Sequence, residues 1–357
     1  MTDPEQAAHP SRGEPRLAPR QETILRTVIE QHIASGTPVG SKHIAGREGI
    51  DFASSTVRYE LARLEEAGFL DHPHTSAGRV PTDRGYRYYV DTVLSKEPPA
   101  PPTGRIESAL AIGEMRREVD GALRRLAEVV SQVTNLLGIV TAPRPETATI
   151  RHVEVLVLQP QLVMVVVITS TGSVTKRVFA FDRPVDTGLA EWAAAFLNDR
   201  LRGRTLGSRT IEARMADPTL GAREQAFIQA IAPAVTDLTE ETEALYVAGQ
   251  ATFLAEGRVQ DLRAIETLMQ AIEERYALLA LLRGALARNE IYLRIGAEFP
   301  DPALSCMTLV AANYGVARRN LGTVSLIGPT RMDYRLAIAT VREAAHALSR
   351  YVEEVYE

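Results

Sequence analysis

The chain has 357 residues, enough for two or three domains, and its 45% hydrophobic and 24% charged content is that of a globular protein. No apolar run reaches the ~20 residues that a membrane helix requires, so no membrane contact is expected. Cys306 is the only cysteine, which excludes an internal disulfide and argues against a cysteine-based zinc site, and a net charge of −5 argues against indiscriminate nucleic-acid binding.

Residues 1–15 are polar and proline-rich with no apolar core, which predicts a disordered arm rather than a secretion signal and a cytoplasmic protein. A first helix starts near Pro19, carries Ile24, Leu25, Val28, Ile29 and Ile33 on one stripe, and stops at Gly36. A short helix follows, capped by Ser41, with Ile44 and Ala45 facing inward. A third helix begins at Ser54 or Ser55, buries Val57, Leu61 and Leu64, and ends at Gly68. An extended segment from Phe69, a turn-rich tip and a return through Val80 and Pro81 come next, then a helix capped by Asp83 that carries Tyr86, Tyr89 and Val90. Helix, short helix, helix, hairpin is the order of a winged helix-turn-helix, over residues 16–96. The run EPPAPPTG, 97–104, is a proline-rich linker.

Beyond it, residues 106–137 show a heptad-like helical seam. Three valine-rich runs, 152–158, 162–169 and 174–181, predict an antiparallel meander, and 186–201 an amphipathic helix. Residues 203–258 are read as helical except for a strand-like run at 210–213, and 263–288 as a long helix. Strand patterns resume at 291–295, 307–312 and 322–327, and a seamed helix closes the chain at 334–356. A sheet that starts before a helical block and continues after it predicts an α+β domain with a helical insertion. The two seams pack either on that sheet or against a second copy of the chain. Cys306, in an apolar run, is expected to be buried.

The third helix leaves Ser54, Ser55, Thr56, Arg58, Tyr59 and Arg63 available on its outer side. Early residues of a recognition helix reach base edges, and hydroxyls at a helix N-terminus hold phosphates. Arg58 has the fork geometry for guanine. The same face is equally the solvated side of an ordinary amphipathic helix. At the hairpin, His74, Thr75, Ser76 and Arg79 are phosphate donors, and Arg84 and Arg87 add charge. Glu60, Glu65, Glu66, Asp71 and Asp83 cancel that charge by count, so DNA contact requires the fold to segregate it. His72-Pro73-His74 lacks further ligands at metal spacing. No phosphate-binding glycine loop, nucleophile elbow or zinc-hydrolase motif occurs, so no enzyme, cofactor or metal is expected.

Several of these segments together resemble one family. PRQETIL (19–25), TPVGSK (37–42), SSTVR (54–58), PHTSAGRVPTDRGYRYYVD (73–91), LYVAGQATFL (245–254), IGAEF (295–299) and IGPTRMDY (327–334) are similar to motifs of the heat-inducible transcription repressors HrcA. Tyr59 and Phe299 depart from the family pattern, each standing where asparagine is usual.

The resemblance implies a multidomain α+β protein. It would comprise a winged helix-turn-helix, a GAF-like domain with an antiparallel sheet (105–202 and 259–357) and an inserted, mainly helical dimerising domain (203–258). It implies a dimer that represses chaperone operons by binding double-stranded DNA at an inverted-repeat CIRCE operator. Heat would release it, and a GroEL-type chaperonin would restore it. Ser55, Thr56 and Arg58 would then read bases, Arg79 and the wing hydroxyls would touch the backbone, and Lys42 and Arg84 would hold phosphates. The alternative is a transcription regulator that senses a small molecule in the GAF-like domain.

Overall fold

The computed structural model describes residues 17–47, 50–73, 78–94, 106, 119–142, 149–170, 174–205, 209–236, 245–255, 262–274, 282, 291–316 and 319–356. The expected arm, the proline linker and the wing tip with His74, Thr75 and Ser76 lie outside these residues.

The chain opens with α1 (Pro19–Ser35), α2 (Ser41–Ala45) and α3 (Ser54–Glu66). Strands β1 (Leu70–Asp71) and β2 (Val80–Pro81) follow, then α4 (Asp83–Tyr88), which continues as a π-helical turn, Tyr89–Leu94. α1 buries Ile24, Leu25, Val28 and Ile29 at helical spacing and ends on Gly36 at φ 72°, a left-handed cap where glycine has no Cβ to clash. β1 pairs antiparallel with β2, and Val39 adds a third rung through two 2.9 Å hydrogen bonds with Arg79. Gly78 is required at that crossing, because a Cβ there would stand 2.4 Å from the Val39 carbonyl carbon. Helix, short helix, helix and hairpin thus form as the sequence predicts, and the bridge from Val39 to Arg79 is an addition the sequence did not announce.

Three caps differ from expectation. Gly40 rather than Ser41 precedes α2, and Ala53, with no side-chain cap, precedes α3. Thr82, not Asp83, caps α4, accepting a 3.1 Å hydrogen bond from the Gly85 amide. A cap needs its side chain turned back on the helix. Asp83 is one residue too far in and faces another part of the chain.

The remainder contains α5 (Val119–Thr134) and β3 (Leu137–Thr141), then β4 (Ile150–Gln159), β5 (Leu162–Thr169) and β6 (Val174–Ala180). Helices α6 (Thr187–Leu201), α7 (Arg209–Met215), α8 (Ala222–Ile231) and α9 (Pro233–Thr236) follow. The chain closes with β7 (Leu245–Ala248), α10 (Gln250–Ala255), α11 (Leu262–Glu273), β8 (Tyr292–Ile295), β9 (Met307–Val316), β10 (Arg319–Pro329) and α12 (Tyr334–Tyr356).

Five strands form one antiparallel sheet in the order β7-β3-β10-β9-β8. Side chains alternate across it as strand geometry demands. Val140, Val310, Val324 and Leu326 pack under α5 and α12, whereas Leu137, Ile139, Leu309 and Ile327 pack on the other face with Phe253 and Leu268. Both seams are spent here: Leu123, Leu126 and Val130 of α5 and Ile338, Val341, Leu348 and Val352 of α12 are buried in that core. Cys306 is half-buried at the margin of the second face rather than enclosed.

The meander β4-β5-β6 does not join this sheet, which corrects the expectation of a single sheet interrupted by helices. Among the described residues its three strands form a separate sheet, bridged at the start of β4 to residues 203–205, and close their own core against α6 to α9, with Val153, Val165, Leu197, Phe227 and Ile231 at the centre. The chain leaves the five-stranded sheet after Thr141 and rejoins it at Leu245. The inserted unit is therefore mixed sheet and helix and begins well before residue 203. Residues 137–141 are strand, not helix end, and 245–248 belong to the main sheet, not the insertion. The run at 210–213 lies within helix α7. Alternation identifies a strand but not its partner, and LGIVT, buried on both faces, has no alternation to read.

Candidate nucleic-acid interface

α3 buries Val57, Glu60, Leu61 and Leu64. The opposite face, at helical spacing, exposes Ser55, Arg58, Tyr59 and Arg63, with Ser54 and Thr56 half-buried at its edge. Arg58 makes no hydrogen bond or ion pair with any described residue, and the Tyr59 ring is 62% exposed beneath the Arg63 guanidinium, 5.9 Å from its centroid. Ser41 and Ser54 hydroxyls stand 3.3 Å apart, bringing the starts of α2 and α3 together, with Lys42 exposed beside them. With no side chain capping α3, its first amides are open to an anion.

Of the acids that cancel the arginines by count, Glu60, Glu65 and Asp83 are engaged by other groups, whereas Glu66 and Asp71 stay exposed. Glu60 is buried on the inner side of α3, accepting from Gln21 Nε2 at 3.1 Å with Arg20 at 3.8 Å. Glu65 pairs with Arg79 at 2.8 Å, and Asp83 Oδ2 accepts the Ala297 amide at 2.8 Å. The exposed face of α3 therefore keeps Arg58 and Arg63, with Glu66 as its one acid left unpaired among the described residues, Glu60 being buried and Glu65 paired with Arg79.

Not every expected contact residue stays available. Arg79 is drawn onto Glu65. Arg84 donates to the Ala67 carbonyl at 2.8 Å and covers the Phe69 ring at 4.6 Å, tying α4 to the C-terminal end of α3. Arg87 points away from the wing altogether. Its Nε donates to Glu298 at 2.8 Å, its Nη2 to the same carboxylate and, at 2.9 Å, to the Leu293 carbonyl. Burial opposes its charge, but the hydrogen bonds and the charge of Glu298 outweigh it, so the guanidinium is held protonated more firmly than usual. Composition gave Arg79, Arg84 and Arg87 one role; contact geometry gives them three.

Nearby tyrosines are structural. Tyr86 and Tyr334 rings pack 5.4 Å apart, and burial pushes both phenols above their ordinary range. Among the described residues no cluster of three or more metal-ligating side chains occurs, and no helix is long and apolar enough to cross a membrane.

Comparison with known proteins bears on this arrangement. Residues 120–338 match the family model of the HrcA protein C-terminal domain. A heat-inducible transcription repressor HrcA from Parafrankia sp. (strain EAN1pec) is 32% identical over 341 residues, covering 95% of this chain and 98% of that protein. One from Nocardioides sp. (strain ATCC BAA-499 / JS614) is 34% identical over 340 residues, covering 94% and 98%. Among solved structures, the crystal structure of a protein titled hypothetical superposes with a TM-score of 0.64 at 22% identity, over 95% of this chain and 99% of that one. That likeness concerns the fold.

Proposed function

Since the chain belongs to the HrcA family of heat-inducible transcription repressors, we propose that it represses chaperone operons by binding, as a homodimer, an inverted-repeat operator of CIRCE type, and that heat releases it. One observation carries the DNA-binding part: Arg58, without a partner among the described residues, shares the exposed face of α3 with Arg63, while Glu60 is buried and Glu65 is paired with Arg79. Arg58 reads a guanine edge in the major groove, Ser55 and Thr56 contact bases or adjacent phosphates at the helix start, and Lys42 holds phosphate. Ser54 lies at the same helix start, and Tyr59 and Arg63 extend the contact surface along α3. The wing tip residues His74, Thr75 and Ser76 belong to the same proposal as backbone contacts. Arg79 and Arg84 serve it by fixing the wing base and α4 to α3 rather than as free donors.

An inverted repeat calls for a two-fold symmetric reader. The outer face of β4-β5-β6 supports self-association: Leu156, Met164 and Val178 stand in register across the three strands, and Leu156, Leu158, Val174 and Val178 are exposed. Heat acts by shifting a marginally stable, DNA-competent dimer, for which 1–2 kcal/mol is a large fraction of ~5–15, and a GroEL-type chaperonin restores it. Both faces of the five-stranded sheet are filled by apolar side chains, which does not favour the small-molecule-sensing alternative.

The test is a gel shift with an inverted-repeat chaperone promoter, comparing wild type with Arg58→Ala. A bidentate guanine contact is worth roughly 1–3 kcal/mol, so the variant is expected to bind about 10- to 100-fold more weakly. Equal binding would remove Arg58 from the interface, and no wild-type retardation would remove the repressor reading.

A further inference from the structure

In the helix that follows the wing, Asp83 and Arg87 are directed at the five-stranded sheet body rather than at the exposed face of α3. Three polar attachments join the winged helix to that body. At the first, Arg87 on α4 grips Glu298 with two nitrogens and the Leu293 carbonyl with one of them, while its Nη1 lies 3.5 Å from Asp91. Glu298 is itself fixed, accepting the Ile295 amide at 2.9 Å. At the second, Asp83 accepts the Ala297 amide, and Gly296 sits so close that a Cβ would lie 1.9 Å from Asp83 Oδ2. Gly296 also has φ 55°, so a side chain there is excluded twice over. At the third, Arg335 on α12 donates to the Tyr89 hydroxyl at 3.4 Å and lies 3.8 Å from Glu30 on α1, and Arg331 Nη1 donates to the Ile33 carbonyl at 3.4 Å. Between them Tyr86, Tyr89, Met332 and Tyr334 are buried in one core that runs without a break from the winged helix into the sheet body.

Attachments at α4 and at the C-terminal end of α1, with an apolar core between them, restrict the rotation of one unit on the other more than either does alone. None of these groups lies on the exposed face of α3.

We infer that Arg87, through Glu298, is a positioning residue for operator recognition: it sets the orientation of the recognition helix relative to the sheet body, and so the separation of the two helices in a dimer. This rests on the repressor reading above. The predicted consequence is specific. Base contacts within a half-site come from α3 alone and do not depend on the clamp. The preferred spacing between half-sites depends on it, because a dimer whose winged helices are held less firmly in orientation accepts a wider range of spacings.

The experiment measures binding of the full-length protein to a single half-site and to inverted repeats whose spacer is lengthened or shortened by one to four base pairs. Wild type, Arg87→Ala, Glu298→Gln and the Arg87→Ala/Glu298→Gln double variant are compared after thermal melts check that each is folded. Wild type is expected to prefer one spacer at least tenfold. Each variant is expected to bind the half-site within twofold of wild type, to lose most of the spacer preference, and to be no worse in combination than singly, as coupled partners should be. Variants that keep the wild-type spacer preference, or that lose half-site and full-site binding alike, overturn this inference while leaving the repressor reading intact. Wild type that binds no inverted repeat at all overturns both.

Discussion

Arg58 and Arg87 carry the same charge within two short helices of each other, yet only one faces outward. Arg58 lies on the side of α3 opposite Val57, Leu61 and Leu64, so helical periodicity alone predicts its exposure. Arg87 lies between two buried tyrosines, Tyr86 and Tyr88, and its partner is 211 residues away in sequence, so no local pattern announces Glu298. Tyr59 belongs with Arg58: it is exposed on the same side of α3, with the Arg63 guanidinium over its ring. His32 shows the same dependence on distant neighbours. Burial holds its pKa below the ordinary value of about 6.5, Arg331 adds repulsion, and a 2.9 Å hydrogen bond to the Thr37 carbonyl works in the opposite direction. A histidine whose folded pKa is depressed contributes its full stability above the unfolded value, and loses it as pH falls from there through the folded value. Urea unfolding between pH 7.5 and 5 is therefore expected to show a stability decline below about pH 6.5 that is shallower in His32→Gln; an unchanged slope would remove His32 as its source.

At the scale of elements, the α3–wing unit was legible because each of its parts has a local cause. Pro19 and Gly36 bracket α1, Gly68 at φ 76° ends α3, and alternating turn residues mark the hairpin. What local pattern could not show is how tightly the wing base crosses the chain at Val39. Replacing Gly78 by alanine forces a methyl into the Val39 backbone, and overpacking of this kind costs about 1–3 kcal/mol. Gly78→Ala is expected to lower the unfolding midpoint and weaken binding to all DNA sequences alike, since it displaces the wing and not α3. A purely sequence-dependent loss would show that the wing reads bases. The caps illustrate the converse. Serine at 54 and aspartate at 83 are good capping types, but which residue caps was decided by Ala53 and Thr82 taking the extended conformation just before each helix.

For the whole molecule, the decisive feature is that the insertion carries its own sheet. A three-stranded sheet with helices on one face leaves the other face to solvent or to a partner, and this one presents Leu156, Leu158, Val174 and Val178. Lysine on such a face costs little in a monomer and much in a dry interface. Leu158→Lys/Val178→Lys is expected to sediment as a folded monomer and to lose the inverted repeat at concentrations where wild type binds it. A variant that remains dimeric would place self-association elsewhere. The five-stranded sheet, by contrast, has both faces occupied, one by α5 and α12 and the other by the core around Phe253 and Leu268.

The amino-acid sequence by itself determined the helices and hairpin of the winged helix-turn-helix, the valine-rich meander and the exposed face of α3, because each follows from spacing within a dozen residues, but not the strands 137–141 and 245–248. It also carried the family, through motifs spread along the chain. Only the tertiary structure decided which strands share a sheet, where the insertion begins, and that Asp83, Arg87 and Arg335 join the winged helix to the sheet body. Those outcomes depend on contacts between residues about 100 to 300 positions apart. Hydrogen-bond partners and buried charges at that separation are chosen by how the units pack, not by the pattern of either unit alone.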